Sequence, residues 1–384
     1  RFLFTDVSAY KCKWRIDCEG EELQSGETEK LALLPLQEEI IDIPYDYSAL
    51  PTDRECVLTV SFHTKKKTPG LKAGAEVAFD QFILTSPSKP KLETVQSSLS
   101  FEKNKNCVTV IGSGFSVKIE NGALVELIKN GNSILTSPLR PCYFRAMTDN
   151  DIDVLNFAPP LIHFNPYYKW QKATKAVKAL KTEVEQTDGI VKIKAALEVP
   201  NLKNAYISYT VYPDSRIAVY HSAVIKADLH RFGCMFEVDK SYDSISWYGR
   251  GPEPCYPDRK TGSKIGLYSM PLGDFEYNYM RPQEASSRAD VRYFTLENKR
   301  GEGIKITAYY DKPVLFSALP YTPDMLESFT HIKEINRDNG ITVTVDSAQQ
   351  GVGGDMPGQA CVRDKYKIKA GEKLTLSFLI EVLG

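Results

Sequence analysis

Residues 247–259 read Trp-Tyr-Gly-Arg-Gly-Pro-Glu-Pro-Cys-Tyr-Pro-Asp-Arg, the most informative stretch of this sequence. Glycine and proline impose backbone geometries that other residues resist. Arginine and aspartate placed together in a turn favour a fixed, charge-assisted ion pair. Because this mixture of residues is not typical of a plain β-strand, we expect an irregular segment at these positions.

The composition of the 384-residue chain narrows the classes of protein to which it can belong. The length allows two or three domains, and 42% hydrophobic residues with 11% aromatic residues indicate buried cores rather than disorder. A formal net charge of −1 gives no bulk attraction to nucleic acid or to an anionic membrane. No apolar run approaches the ~20 residues of a membrane span. We therefore expect no nucleic-acid partner and no membrane partner.

The eight cysteines are scattered along the chain and include no Cys-x-x-Cys pair. The five histidines are equally dispersed, so the sequence predicts no metal site. Disulfide pairing stays open, but the spacing does not resemble a disulfide framework, and free thiols are the favoured interpretation.

Residues 1–86 have the pattern of short strands joined by turns. Apolar residues at the even positions from 12 to 18 alternate with charged residues, which is the period of a half-buried strand. Further strands are expected at residues 40–43, 56–62 and 76–84. This spacing predicts a small immunoglobulin-like β-sandwich.

Residues 87–91, Pro-Ser-Lys-Pro-Lys, form the expected linker, because two prolines block regular strand pairing. From residue 92 to 384 strand patterns dominate again, with hairpin turns expected at Asn121-Gly122 and at residues 130–132. A helix is predicted only at residues 166–180, whose first residue is a proline. Strands and helices do not alternate, so the sequence predicts an all-β chain without a TIM barrel.

Five segments of this sequence form a recognisable series. They are residues 76–84 (Glu-Val-Ala-Phe-Asp-Gln-Phe-Ile-Leu), 145–151 (Arg-Ala-Met-Thr-Asp-Asn-Asp), 247–259, 282–292 (Pro-Gln-Glu-Ala-Ser-Ser-Arg-Ala-Asp-Val-Arg) and 349–355 (Gln-Gln-Gly-Val-Gly-Gly-Asp). In this order they resemble the C-terminal region of the large β-galactosidases, which are family-2 glycoside hydrolases. The sequence departs from the family pattern at Met147, Pro254, Cys255 and Ser286.

A further departure follows the last segment. Some members of the family place a tryptophan there that stacks on the sugar, whereas this chain continues with Met-Pro-Gly to Gly358. The resemblance therefore implies that an aromatic platform for the sugar is missing at that position.

The resemblance implies that residues 92–384 form a large two-layered supersandwich that shares its fold with galactose mutarotase. In the parent enzyme this module packs on the catalytic barrel and edges the active-site mouth, but carries neither catalytic carboxylate. The implied partners are the barrel and a galactoside or oligosaccharide. No cofactor is expected in this chain, and any Mg or Na of the parent is expected to bind outside it. Since a module separated from its barrel exposes an apolar patch, we also expect a homo-oligomer.

Two sets of residues follow from these segments. The residues expected at the active-site rim are Arg145, Asp149, Asn150, Asp151, Gly354 and Asp355. The residues expected to form a structural signature are Trp247, Arg250, Asp258, Arg259, Glu284 and Arg288.

Retaining glycoside hydrolysis requires two carboxyl groups ~5–5.5 Å apart, one as nucleophile and one as acid/base. The candidates in this sequence are Glu253, Asp258, Glu284, Asp290 and Asp355. Arg259 follows Asp258, Arg281 and Arg288 flank Glu284, and Arg292 lies near Asp290. A neighbouring guanidinium keeps a carboxylate ionised, so structural ion pairs are favoured over catalysis or sugar binding.

Other motifs leave alternatives open. Residues 149–151 fit a structural turn, an active-site rim or, least of all, a hard cation site. The glycines of residues 351–354 lack the strand and helix that flank a phosphate-binding loop. Trp170 is expected in a core rather than on a sugar. His221 lies on a predicted strand without an identifiable acid/base partner, which disfavours an epimerase.

The chain opens on Arg-Phe-Leu-Phe without an initiator methionine or a signal peptide, so we expect it to be a piece of a longer polypeptide. Cytoplasmic and periplasmic localisation both stay open. The favoured function is that of a non-catalytic part of a β-galactosidase. The alternative is an independent carbohydrate-binding module.

Overall fold

The computed structural model describes residues 6–28, 31–86, 98–152, 167–309, 312–337, 340–354 and 362–384. These residues are built almost entirely from antiparallel β-strands, so the predicted all-β class is confirmed. The chain divides into two compact units, residues 1–91 with 264–267, and residues 92–263 with 268–384. The expected linker at residues 87–91 lies outside the described residues.

The described part of the first unit contains one four-stranded sheet in the order β2-β1-β3-β4. Its strands are β1 (Tyr10–Cys18), β2 (Glu21–Glu27), β3 (Cys56–Thr64) and β4 (Glu76–Thr85). The predicted alternation in β1 is confirmed, because Trp14 and Ile16 face a small core that also contains Leu50. The strand expected at residues 40–43 is wrong, since this segment has no strand structure and Ile43 packs on the core from a loop.

The expectation of free thiols is wrong for two cysteines. Cys18 and Cys56 face each other across β1 and β3 and form a disulfide. Their separation of 38 residues in the sequence gave no sign of this pairing, which depends on the register of the two strands. The free cysteines among the described residues are Cys12, Cys107, Cys142, Cys234 and Cys255.

The second unit contains a ten-stranded and a nine-stranded sheet. The ten-stranded sheet has the order β18-β21-β22-β15-β10-β8-β7-β6-β5, with β9 paired to β8, and the nine-stranded sheet has the order β11-β12-β13-β14-β23-β20-β19-β16-β17. The strands are β5 (Ser100–Asn104), β6 (Cys107–Gly112), β7 (Phe115–Glu120), β8 (Ala123–Lys129), β9 (Asn132–Ser133), β10 (Leu135–Cys142), β11 (Lys178–Thr187), β12 (Ile190–Glu198), β13 (Leu202–Val211), β14 (Ile217–Ile225), β15 (Arg231–Val238), β16 (Ser244–Gly251), β17 (Lys264–Pro271), β18 (Arg288–Val291), β19 (Tyr293–Glu297), β20 (Gly303–Ala308), β21 (Val314–Leu319), β22 (Ile341–Gln349) and β23 (Lys373–Leu383).

The two sheets of the second unit share one hydrophobic core. Phe294 of the nine-stranded sheet stacks on Phe316 of the ten-stranded sheet with ring centroids 4.1 Å apart. Both rings are fully buried. Burial of one face of each sheet is the main favourable term in such a sandwich.

The predicted hairpin at Asn121-Gly122 is present between β7 and β8. Asn121 and Gly122 have φ angles of +50° and +81°, the left-handed pair that a tight hairpin turn requires. The same conformation recurs at Asn130 and Gly131.

Four short α-helices interrupt the strands in the described part of the chain: α1 (Asp149–Ile152), α2 (Tyr168–Lys175), α3 (Leu272–Phe275) and α4 (Pro323–Ser328). The helix predicted at residues 166–180 is therefore shorter than expected, because β11 already begins at Lys178. Trp170 of α2 is fully buried and donates a hydrogen bond to the Asp228 carbonyl at 2.6 Å, as expected of a core residue. No described helix has both the length and the apolar character to cross a membrane.

The irregular segment expected at residues 247–259 is wrong for its first half. Residues up to Gly251 belong to β16, and Trp247 faces the core. Gly249 allows this strand to approach β18, since a Cβ atom there would lie 2.7 Å from the Val291 Cα atom. The glycines thus permit close strand packing rather than a turn.

Candidate functional site

Four of the five signature segments meet in the second unit: residues 145–152, 256–259, 281–287 and 349–354. We call these segments the loop cluster, together with the buried residues His230, Arg231 and Asp346 that contact them. Hydrogen bonds and ion pairs between the segments hold the cluster together, and most of the polar side chains involved are buried. Each segment follows or precedes a strand of the sandwich, so a sheet fixes at least one end of each loop.

Arg145 lies at the centre of the loop cluster and is fully buried. Its guanidinium donates to the carbonyls of Gln350 at 2.5 Å and Gly351 at 2.9 Å. It also forms an ion pair with Asp151 at 3.0 Å. One side chain therefore ties residues 145–151 to residues 349–354.

Thr148 and Asp151 close the N-terminus of α1 reciprocally. The Asp151 carboxylate accepts from the Thr148 amide at 3.0 Å, and the Thr148 hydroxyl accepts from the Asp151 amide at 3.2 Å. This is a capping box with aspartate in place of glutamate. Burial by itself would raise the pKa of Asp151, but the Arg145 guanidinium outweighs it and holds the pKa below its usual range. Asp151 is thus a structural anion.

His230 lies beside this ion pair and was not singled out from the sequence. Its ring stacks on Tyr167 with centroids 3.5 Å apart, and its Nε2 atom lies 3.4 Å from the Asp151 carboxylate. Burial lowers the pKa of His230 to about 3, even though Asp151 opposes the shift. The imidazole is therefore neutral at neutral pH.

Asp258 connects the 256–259 segment to the glycine-rich loop. Its carboxylate accepts from the backbone amides of Val352 at 3.1 Å and Gly353 at 2.7 Å. A Cβ atom on Gly351 would lie 2.5 Å from the same carboxylate, so the glycine is needed for this approach. The predicted partner Arg259 is exposed, and the backbone amides take its place.

A second buried charge network surrounds Arg231, another residue that the sequence did not single out. Arg231 forms ion pairs with Glu284 at 3.2 Å and Asp346 at 3.1 Å. Glu284 also accepts from the Tyr256 hydroxyl at 2.9 Å. Burial raises the pKa of Asp346 to about 6 although Arg231 opposes it. The predicted pairing of Glu284 with Arg281 or Arg288 is wrong in its partner.

The exposed edge of the loop cluster consists of polar side chains. Asp149 forms an ion pair with Arg281 at 2.5 Å and accepts from Gln283 at 3.1 Å. Asn150 is half-buried and donates to the Val352 carbonyl at 2.8 Å. Gly354 is exposed at the end of the described segment, whereas Asp355 and Gly358 lie outside the described residues.

The remaining signature residues stabilise the neighbouring strands. Asp290 pairs with Arg250 at 2.7 Å and with Lys260 at 2.6 Å rather than with Arg292. The Arg288 guanidinium lies over the rings of Phe275, at 4.1 Å, and Trp247, at 5.4 Å. The ion-pair partners of Asp290 therefore differ from the one expected from the sequence.

Two further buried groups, His221 and Glu327, have shifted pKa values. His221 lies in the inter-sheet core, where its Nε2 atom is 2.9 Å from the Tyr143 hydroxyl and its Nδ1 atom 2.8 Å from the Tyr206 carbonyl. Burial lowers its pKa to about 4.

Glu327 accepts from the Met147 amide at 2.7 Å and from the Tyr168 hydroxyl, and burial raises its pKa. Met147, a departure from the family pattern, is fully buried.

Arg231 and Asp346 had one weak signal in the sequence. Arg231 opens the mostly apolar β15, and Asp346 follows the alternating apolar residues of β22. A buried charge needs a partner, but the sequence does not say which residue provides it. Within the described ranges, no group of three or more histidine, cysteine, aspartate or glutamate side chains is arranged to hold a metal ion.

Comparison with known proteins agrees with the motif series. The family model for the β-galactosidase small chain matches residues 111–380, and the model for domain 4 of β-galactosidase matches residues 1–85. The β-galactosidase of Priestia megaterium is 30% identical over 100% of this chain and 37% of its own length. That of Halalkalibacterium halodurans is 28% identical over 98% of this chain and 37% of its own length. The resemblance to the C-terminal region of a β-galactosidase is confirmed, and the chain spans 37% of the length of these relatives.

Among solved structures, the galactose 1-epimerase from Lactobacillus acidophilus NCFM is similar to 75% of this chain and 99% of its own, with 10% identity and a TM-score of 0.39.

Proposed function

The chain belongs to the family of the β-galactosidase small chain, and we propose that it is the non-catalytic C-terminal portion of an enzyme that hydrolyses terminal β-galactosides. In this proposal the second unit packs on the catalytic barrel of the parent polypeptide. The exposed edge of the loop cluster then forms one side of the active-site mouth.

The observation that carries the proposal is the convergence of four signature segments in the loop cluster. Buried ion pairs of Arg145 and Arg231 hold these segments in place. These buried pairs lie behind Asp149 and Asn150 of the exposed edge and hold their segment in one position. A precise binding edge requires such support. Carboxylate, amide and guanidinium groups are suited to hydrogen-bond sugar hydroxyls.

An exposed apolar segment adjoins this edge and supports a docking role. Tyr277, Tyr279 and Met280 are 47%, 37% and 89% exposed, and they precede Arg281 of the loop cluster. Tyrosine, methionine and arginine are enriched in protein interfaces. We propose that the catalytic barrel covers this segment. Association of several copies into a homo-oligomer is part of the same proposal.

The environment of the carboxylates supports placing the reaction outside this chain. Asp258 accepts from two backbone amides, Glu284 is paired with Arg231, and Asp290 is paired with two cations. Lys260 and Arg250 outweigh the effect of burial and hold the pKa of Asp290 below its usual range, so Asp290 is a poor proton donor. The carboxylates of Asp258 and Glu284 are occupied by their structural partners. The proposal places the nucleophile and the acid/base in the barrel, together with any Mg or Na ion of the parent.

The proposal is tested with a chimera. The 384-residue chain replaces the matched region of the Priestia megaterium relative, and hydrolysis of an aryl β-galactoside is measured. We expect the chimera to be active, and both the isolated chain and the relative truncated before this region to be inactive. A folded but inactive chimera, or turnover by the isolated chain, contradicts the proposal.

A matched pair of variants tests the rim. Asp149→Ala in the chimera should lower kcat/KM about tenfold, because it removes one polar contact from the edge of the site. Glu183→Gln, which alters an exposed carboxylate on β11, is the control and should leave kcat/KM unchanged. Equal values for both variants contradict a rim role. Saturable galactoside binding by the isolated chain, lost in Asp149→Ala, favours the independent carbohydrate-binding module instead.

A further inference from the structure

The outer face of the nine-stranded sheet carries a groove that shares no residue with the loop cluster. We call it the tyrosine groove; it is lined by Ser208, Thr210, Tyr212, Ala218, Tyr220 and Ser377. Its cavity has a volume of about 250 Å³. The inward neighbours on these strands, such as Ile207 and Phe378, lie in the inter-sheet core. Strand alternation therefore points the groove residues away from the core.

The strand register explains why the face is grooved. Ser208, Tyr220 and Ser377 form one row across β13, β14 and β23. In the next row, Ala218 lies between Thr210 and Leu379. Cross-strand neighbours on one face of a sheet lie only ~4.5–5.5 Å apart, so the larger side chains stand close around Ala218. The small alanine side chain therefore leaves a depression beside the large Tyr220 ring.

The lining of the tyrosine groove is electrically neutral. It combines the hydroxyls of serine, threonine and tyrosine with the ring of Tyr220. Three cations flank the groove: the Lys194 ammonium lies 4.5 Å over the Tyr206 ring, Arg216 is paired with Asp214 at 2.5 Å, and Lys192 lies opposite Thr210 on β12. Tyr206 in turn stacks on Tyr220 with centroids 5.8 Å apart, which supports the Tyr220 ring.

One hydroxyl of the groove is unsatisfied. Among the described residues, the Ser377 Oγ atom is shielded from solvent and has no hydrogen-bond partner. Such groups are uncommon in native proteins and call for an explanation. Because this hydroxyl is closed to solvent, a ligand would contact the other side chains of the groove.

We propose that the tyrosine groove binds a single neutral pyranoside ring. A pyranose has an apolar face of C–H groups, which suits the Tyr220 ring, and an edge of hydroxyls, which suits the serine and threonine side chains. The volume lies below the ~300–1,000 Å³ of sites for drug-sized ligands, so the groove fits one sugar ring rather than a long oligosaccharide. The uncharged lining disfavours acidic sugars. This proposal does not depend on the proposed function of the loop cluster.

The experiment is saturation-transfer NMR on the 384-residue chain. The probes are methyl β-D-galactopyranoside, methyl β-D-glucopyranoside and, as the charged comparison, galacturonate. We expect transfer to the ring protons of at least one neutral probe and none to galacturonate. Tyr220→Ala should weaken binding about tenfold, since it removes the stacking surface. Ala218→Leu should abolish binding, because it fills the floor of the groove.

The matched control is Tyr293→Ala on β19. Tyr293 belongs to the same sheet, and the Lys305 ammonium lies 4.8 Å from the centroid of its ring. Tyr293 does not line the groove. Binding should be unchanged in this variant, and circular dichroism checks that each variant folds. The proposal is overturned by the absence of transfer from every neutral probe, by binding that survives Ala218→Leu, or by equal transfer to galacturonate. Sedimentation that shows a dimer dissociated by Tyr220→Ala also overturns it, because a second copy then covers the face.

Discussion

The second unit contains two buried regions of opposite chemistry, the inter-sheet core and the loop cluster. In the core, Phe294 stacks on Phe316, and even His221 is neutral with both ring nitrogens near a hydrogen-bonding atom. In the loop cluster, Arg145 and Arg231 are equally buried but charged. The degree of burial alone therefore does not decide whether a region contributes stability or a fixed geometry.

The difference lies in how each region depends on its parts. Apolar side chains contribute roughly in proportion to the area that they bury, so the loss of one group has a local cost. A buried ion pair contributes little net stability, but removal of one partner leaves an uncompensated charge. We infer that the core provides stability, whereas the loop cluster provides a fixed geometry that fails if one member is lost.

The largest expected effect follows from removal of Arg231. Arg231→Met leaves Glu284 and Asp346 buried without their cation, which should lower the free energy of unfolding by about 3–5 kcal/mol. Urea denaturation of the chain measures this change. A loss below about 1 kcal/mol would show that the cluster tolerates an uncompensated charge and would remove the contrast with the core.

The next effect is a pH dependence to which the loop cluster contributes through His230 and the core contributes through His221. The pKa of His230 is lowered by burial to about 3 in the folded chain, whereas an unfolded histidine titrates near ~6.5. The stability that neutral His230 contributes is complete above the unfolded pKa. It is lost as the pH falls from ~6.5 towards 3, because the unfolded chain binds the proton first. At pH 5 the loss is about 2 kcal/mol.

His230→Gln should therefore flatten the decline in unfolding free energy between pH 7 and about 5. Denaturation curves at several pH values measure the slope. His331→Gln is the control, since His331 is exposed, and it should keep the slope of the unsubstituted chain. The same slope in His230→Gln would mean that this histidine does not couple the cluster to pH.

A smaller effect is expected in the core. Ile193→Val removes one methylene group from a fully buried side chain of β12 and should cost about 0.5–1.5 kcal/mol. This loss should be the same at pH 5 and pH 7, since no titratable group takes part. A strong pH dependence of the difference would contradict the separation of the two regions.

The smallest effect is expected at a half-exposed ion pair. Arg216 and Asp214 are 23% and 24% exposed and lie at a turn, where solvent screens their attraction. Arg216→Met should cost no more than about 1 kcal/mol, and less in high salt. It is also the matched control for Arg231→Met. Similar losses for the two arginines would show that burial does not set the cost.

Local patterns were sufficient for most strands. The alternation in β1, the left-handed turn at Asn121-Gly122 and the apolar runs of β12 to β14 all follow from backbone geometry and burial. Local patterns failed where a strand that is distant in the sequence changes the structure that a segment adopts. The composition of residues 247–259 predicted an irregular segment, but Gly249 serves the close approach of β18, and β11 limits the helix at α2.

The candidate site was foreseen in its segments but not in its contacts. The motifs located Arg145, Asp258 and Glu284, yet the predicted partners were neighbours in sequence. The actual partners of Glu284 and Asp258, namely Arg231 and the amides of Val352 and Gly353, lie far away along the chain. A carboxylate is stabilised by the nearest donors in space, and the sequence does not specify those donors.

The sequence alone established the all-β class and the family, because strand periodicity, turn residues and motifs act over a few positions. Only the tertiary structure decided which charges are buried together, that Cys18 meets Cys56, and that Ala218 leaves a groove between larger neighbours. Each of these depends on the register between strands, and register is fixed by the packing of the whole sheet rather than by any one strand.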